Sequence, residues 1–224
     1  MISGVSSTTQ CEIFSTEIVY IRCALSPYLS RNYRVLAFEP IHANLEMLRT
    51  NVWINGWDIE SVGIVSAGVS NYSGQATIFM PLGNEDNSAL GSANVATLNV
   101  QHSDVSMIKI DLISMDDYFD SADSSLIDTV QLFKIDAQGH ELPILQGMKK
   151  ILSSGVRRFA LFVEVSDTLQ LAAGHDPKDI EKYMLSLGWK PFCSRGNMLE
   201  PGSSCDDVIF LHESRMAEAQ VAFP

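Results

Sequence analysis

The sequence predicts an α/β protein whose largely parallel sheet carries helices on both faces and ends in an antiparallel last strand. Three observations predict it. From Arg34 onward, short apolar runs alternate with stretches of helical periodicity, the pattern of buried strands joined by helices. Three of those runs end in a carboxylate, at Glu39, Asp136 and Glu164. The last two runs, 189–193 and 208–211, are near enough in the chain to pair antiparallel at a sheet edge.

The run 34–39 is almost unbroken, as expected for a strand covered on both sides. Pro40 then opens a helix whose Ile41, Leu45, Leu48 and Val52 share one face, and Asn55-Gly56 stops it. Residues 61–69 read as the next strand and 75–80 as another, after the turn at Asn71-Tyr-Ser-Gly74. Between 81 and 106 the composition shifts to Asn, Ser, Gly and Asp without periodicity, which predicts a surface excursion, either a lid on the substrate side or a tolerated insertion. Residues 130–136 form a buried strand, followed by one helix with Pro143 in its first turn and Lys149-Lys150 at its C-terminal end, broken by Gly155. Residues 159–165 are a further strand. Asp176-Pro-Lys-Asp179 caps a helix through Ile180, Tyr183, Met184 and Leu187 that stops at Gly188. The tail, 213–224, reads as frayed or loosely helical.

The 224 residues suit one domain and are too few for two well-cored ones. Within that domain, 1–33 is an atypical N-terminal segment. A hydrophobic fraction of 46% argues against extensive disorder. Fifteen Lys and Arg against 27 Asp and Glu give a net charge of −12, which repels nucleic acid and anionic membrane surfaces alike. No signal peptide or membrane-spanning run is visible, and the four cysteines, Cys11, Cys23, Cys193 and Cys205, lack metal spacing and are too sparse for a disulfide framework. A reducing, cytoplasmic setting is the expectation.

The three strand-end acids belong at the carboxyl edge of one parallel sheet, where open α/β folds bind ligands. Glu39 precedes a helix, and a carboxylate there can accept both hydroxyls of a ribose, although strand-end acids also commonly cap the helix that follows. In Lys134-Ile-Asp-Ala-Gln-Gly-His-Glu141 a strand leaves through a glycine into a helix and exposes Asp136, Gln138, His140 and Glu141 in succession. A lone histidine near a helix start, such as His140, is more often a solvated cap than a catalyst. His42, His102, His175 and His212 have no partners at metal-ligand spacing, so no metal site is expected.

These residues resemble the FkbM-type methyltransferases. The resemblance rests on Val35-Leu-Ala-Phe-Glu-Pro40 with Asn44, Leu48, Asn51 and Asn55-Gly56, and on Gly68-Val-Ser-Asn-Tyr-Ser-Gly74 with Ala76-Thr-Ile-Phe79. Leu112-Ile-Ser-Met-Asp-Asp-Tyr-Phe119, Phe133-Lys-Ile-Asp-Ala-Gln-Gly-His-Glu141 with Leu145, Gly147 and Leu152, and Phe162-Val-Glu164 continue it in order. It spans roughly 34–192 and implies a Rossmann-like class I methyltransferase fold that uses S-adenosylmethionine to methylate a hydroxyl of a sugar or small metabolite. Carried over by position, Glu39 holds the ribose hydroxyls, Ile41 lies against the adenine, and Ser66 and Ala67 line the adenine pocket. Asp136 sits beside the methionine moiety or the acceptor, with His140 or Glu141 the nearest candidate base.

Two departures stand out. The family's glycine-rich turn should lie about 20 residues before the ribose acid, yet Gly4 is the only glycine before Gly56. Gln138 also replaces a residue that is commonly Glu in the family. The missing turn implies either a shortened or misassembled N-terminus or a member that has lost cofactor binding; the first is preferred, because drift would leave a recognisable strand with altered glycines. On that reading residues 15–29 are the helix that normally follows the turn, and the middle of the sheet has a gap or a substitute strand. The rival functions are a non-catalytic binding protein of this fold and, with less support, a nicotinamide-dependent oxidoreductase.

Overall fold

A computed structural model describes residues 18–21, 35–57, 62–81, 89–90, 105–122, 124–154, 159–193 and 205–216. The first half comprises β1 (Ile18–Ile21), β2 (Val35–Phe38), α1 (His42–Ile54), β3 (Val62–Val65), β4 (Gly68–Val69), β5 (Gly74–Pro81), β6 (Ala89–Leu90) and β7 (Val105–Ile113). The second comprises α2 (Met115–Ser121), β8 (Leu132–Ile135), α3 (Glu141–Gln146), α4 (Lys149–Ser153), β9 (Ala160–Glu164), α5 (Asp167–Ala172), α6 (Pro177–Ser186), β10 (Trp189–Cys193) and β11 (Asp207–His212).

Among the described residues the strands form two sheets: seven strands in the order β10-β11-β9-β8-β1-β2-β3, and four in the order β4-β7-β5-β6. β2 and β3 pair in parallel, as do β8 and β9, whereas β1 runs antiparallel to both its neighbours and β11 to both of its own. The expected largely parallel sheet is therefore mixed, although β2, β3, β8, β9 and β10 all point the same way. The expected helix over 15–29 is also corrected, since Ile18–Ile21 is a strand filling the middle of the sheet. The rest of that segment lies outside the described residues.

An unbroken strand over 61–69 is corrected as well. The chain leaves β3 after Val65 and enters the second sheet at Gly68, so Ser66 and Ala67 form the step between sheets. Part of the proposed excursion is strand, since Ala89–Leu90 pairs with Ile78 and Phe79 and β7 already begins at Val105. The signal for β7 is plain alternation: Ile108, Ile110 and Leu112 face the sheet's apolar side, where Ile110 and Leu112 cluster with Ile41 and Ile78.

The main core lies on the larger sheet, built from β2, β8 and β9 with α2, α3, α4 and α6. A chain of ring contacts crosses it, Phe38 to Tyr118 at 5.0 Å, Phe119 to Phe133 at 6.4 Å, Phe133 to Phe159 at 5.0 Å and Phe159 stacked on Trp189 at 5.3 Å. Each such pair adds about 0.5–1.5 kcal/mol beyond the area it buries.

The single helix expected over 141–154 is two short helices, with Lys149 opening the second instead of closing the first. Gly147 lies where an added Cβ would be 2.1 Å from the Ser70 carbonyl oxygen, and the Asp116 N–H donates to the Gly147 carbonyl at 2.9 Å. The Asp116 carboxylate then accepts the Lys150 and Ile151 N–H groups at 2.8 and 3.0 Å, capping α4 from another element. Helices α2 and α5 were not anticipated, although Ser114 and Ser166 cap them as serine does. The Asp176 cap of α6 and the left-handed Gly56 and Gly188 stand as the sequence predicts. Of the tail, Glu213–Arg215 forms a short 3-10 turn, and residues beyond 216 lie outside the described ones.

The cysteine reading is corrected too. Cys193 and Cys205 are disulfide-bonded across the β10–β11 connection, with Cα atoms 5.8 Å apart. A separation of 12 residues shows no motif; antiparallel pairing brings the two together. The cysteines therefore give no support to a reducing compartment.

Candidate active site

Strand register sets five side-chain positions in one row along the carboxyl edge of the parallel strands. Phe38 pairs with Val65 on one side, so Glu39 stands level with Ser66. Ile18 faces both Phe38 and Ile135, which places Glu39 and Asp136 one residue beyond it on either side, two strand spacings or about 10 Å apart. Ile135 pairs with Val163, which sets Asp136 level with Glu164, and Glu164 pairs with Asp207. The row reads Ser66, Glu39, Asp136, Glu164, Asp207.

Glu39 is 2% exposed. Its N–H continues the ladder to the Val65 carbonyl at 3.1 Å, and its Oε1 accepts the Ile41 N–H at 2.7 Å. The carboxylate thus bonds the backbone two residues on without capping α1, and the bond fixes its direction. The Ile41 side chain packs with Ile78, Ile110 and Leu112 beneath the second sheet. Ser66 is exposed and Ala67 buried.

Asp136 is held from three sides. Lys134, two residues back and so on the same face of β8, reaches its Oδ2 at 2.9 Å, and Gln138 Nε2 donates to its Oδ1 at 3.2 Å. The departure at Gln138 thereby acquires a reason, since an amide donates where a glutamate would not. Gln138 takes a φ of 49° and Gly139 one of 99°, where an added Cβ would lie 2.6 Å from the Leu169 carbonyl oxygen. This turn swings the chain off β8 and back over α5.

Asp136 and Glu164, level on adjacent strands, are close enough for their carboxyl groups to share a proton. Burial raises the Asp136 carboxyl, but the bonds from Glu164, Lys134 and Gln138 outweigh it and hold the group below the usual range. Glu164 moves the other way, pushed up to about 7 by its bond with Asp136 and by burial, with Asp207 adding to the rise. The pair therefore gives up its last proton, from Glu164, around neutrality.

His140 and Glu141 are placed differently from this pair. His140 Nε2 lies 3.0 Å from the Ser70 hydroxyl, and burial together with the neighbouring His175 lowers its pKa to about 4. Glu141 is 2% exposed and accepts the Ala137 N–H at 2.8 Å, the Gly139 N–H at 3.1 Å and the Gln170 side-chain amide. Burial raises its pKa against those donors. His140 thus bonds across to Ser70, while Glu141 ties together the strand-to-helix turn beside Asp136. Sequence reasoning singled out Glu164 as a strand-end acid but gave it no site role. Lys134 was legible from its spacing to Asp136, whereas Asp207 is level with the row only through β11 register.

Among the described residues no cluster could hold a metal ion, and no helix is long and apolar enough to cross a membrane. His212, read as incidental, caps the last turn through Nδ1 and packs edge-on to Trp189.

The row lies at the edge of a mixed α/β sheet where open α/β folds bind ligands. Residues 20–191 match the methyltransferase FkbM domain family, and the chain belongs to that family. Among solved structures it is similar to the methyltransferase FkbM from Methylobacillus flagellatus KT, at 16% identity and a TM-score of 0.45. That likeness covers 80% of this chain and 36% of the other, so the chain spans about a third of that protein's length. No curated protein matches it.

Proposed function

We propose that the chain is an S-adenosylmethionine-dependent O-methyltransferase acting on a hydroxyl of a sugar or small metabolite. The observation that carries this reading is the carboxylate row at the strand ends of a chain in the FkbM family. The chemistry of the row suits the donor's parts: a fixed carboxylate at Glu39 can take two ribose hydroxyls, and an acidic edge favours a cationic sulfonium. Ile41 would hold the Glu39 carboxylate in aim through its N–H, its side chain anchoring that backbone in the cluster beneath the second sheet. Ser66 and Ala67, level with and next to Glu39, would line that pocket. S-adenosylmethionine supplies an electrophilic methyl group when bound.

The chain's remaining task is to position the acceptor and receive its proton. Of the acids and bases expected here, His140 is bonded to Ser70 and Glu141 to the turn, which favours the Asp136–Glu164 pair as the proton acceptor. With its carboxyl raised to about 7, Glu164 is ionised in part of the molecules at neutral pH, and in that form it receives the hydroxyl proton beside Asp136, which Lys134 and Gln138 hold.

One observation favours a second reading, a domain of this fold that binds no donor. Because β1 runs against its neighbours, its carboxyl end lies at the edge opposite the row. Incubating the chain with methyl-labelled donor and a panel of sugars and small hydroxylated metabolites separates the two. Label transferred to an acceptor oxygen supports the methyltransferase; no transfer, together with no donor binding, supports the second reading.

A further inference from the structure

The mouth of the β10–β11 hairpin lies at the same sheet edge as the carboxylate row. Asp207 opens β11 opposite Glu164, and Cys193 closes β10 opposite Val208. The Asp206 carbonyl accepts the Val165 N–H at 2.6 Å, which ties the chain between Cys205 and Asp207 to the end of β9. We propose that the Cys193–Cys205 disulfide is a redox-operated clamp on this edge, holding Asp206 and Asp207 against β9 when oxidised and releasing them when reduced.

Three features make the release local and reversible. The body of the hairpin is anchored without the disulfide, since Trp189 is fully buried and Phe192 and Leu211 form their own apolar cluster with Ala160, Ile209 and Met216. Both cysteines are only half-buried, within reach of a small thiol. The Asp207 carbonyl oxygen lies 3.2 Å from Cys205 Sγ, so the thiol formed on reduction finds an acceptor in place.

The chemistry is thiol–disulfide exchange with a dithiol. One reductant thiolate attacks a protein sulfur to give a mixed disulfide and a protein thiolate, which takes up a proton. The second reductant thiol then displaces the other protein sulfur, leaving two cysteine thiols and an oxidised reductant, with two electrons and two protons transferred.

Release moves Asp207 relative to Glu164, whose other charged neighbours are Asp136 and Lys134. The clamp itself stands on strand register; its meaning as control of methyl transfer rests on the reading above.

Alkylation and peptide mapping of the denatured, unreduced chain provide the first test. Cys193 and Cys205 are expected unmodified, and both modified after treatment with dithiothreitol. Amide exchange of the native protein provides the second. Reduction, or the Cys193→Ser/Cys205→Ser pair, is expected to speed Val165 exchange about tenfold while Leu161 and Val163 stay protected. If the double variant does not fold, reduction of the native chain gives the same readout. Alkylation of both cysteines before reduction, or unchanged Val165 exchange after it, overturns the clamp. S-adenosylmethionine affinity measured in both redox states keeps the two claims apart: absence of binding in both removes the methyl-transfer reading, while the exchange result still decides the clamp.

Discussion

Asp136 and Glu164 stand level at the ends of adjacent parallel strands, where their carboxyl groups are close enough for the titration of one to shift that of the other. Two carboxylates this close do not both ionise readily, so the one with fewer stabilising partners keeps the proton. Lys134 and Gln138 bond to Asp136, and the proton therefore stays with Glu164.

Removing the Asp136 charge removes the main cause of the Glu164 shift. Asp136→Asn is expected to bring the Glu164 titration midpoint down from about 7 toward its ordinary 4.5. Carbon NMR of labelled glutamate side chains across pH 3–9 measures it. A midpoint that stays near 7 in the variant would show that burial alone sets it.

Stability should depend on pH through two opposed groups. Glu164 has a raised folded pKa, so its contribution is full below 4.5 and is lost as pH rises through about 7. His140 has a lowered one, so its contribution is full above 6.5 and is lost as pH falls through about 4. Relative to wild type, Glu164→Gln is expected to remove a decline in melting temperature from pH 4.5 to 7, and His140→Gln to remove a rise from pH 4 to 6.5. Thermal melts of the three chains check this, and parallel profiles would refute it.

Gly147 is a packing requirement. In Gly147→Ala the new Cβ would meet the Ser70 carbonyl oxygen at 2.1 Å and Asn71 Cα at 3.1 Å, so backbone must move. A loss of about 3 kcal/mol is expected in urea unfolding. Gly74→Ala, where the nearest atom is a Tyr72 ring carbon at 3.4 Å, is the near-neutral control.

Glu39 carries the nucleoside end of the proposed site. Glu39→Ala is expected to weaken S-adenosylmethionine binding by roughly 1.5–3 kcal/mol, the worth of hydrogen bonds to a charged group. Calorimetric titration measures it, with an unchanged affinity removing the ribose assignment.

Much of the framework is legible in the chain because it is local. The 34–39 and 159–165 runs, the Gly56 and Gly188 stops and the Asp176 cap each depend on residues within one or two turns of themselves. What the sequence does not disclose is set by partners far along the chain. The split at Gly147 needs Ser70 and Asp116, and the β1 direction depends on its pairing with β2 and β8. The disulfide needs the hairpin to bring Cys193 to Cys205. The candidate site divides in the same way: Glu39 and Asp136 announce themselves as acids at strand ends, while the partners of His140 and Glu141, Ser70 and Gln170, lie far off in sequence.

The central claim is that the row binds a methyl donor although β1 runs backward through the sheet. A thermal melt of the purified chain with and without S-adenosylmethionine tests it most directly, since a ligand at 100 times its Kd adds about 2.7 kcal/mol. A clear upward shift that disappears in Glu39→Ala is the expected result. A cooperative melt that the donor leaves unmoved would contradict the claim and leave a domain of methyltransferase fold that does not bind S-adenosylmethionine.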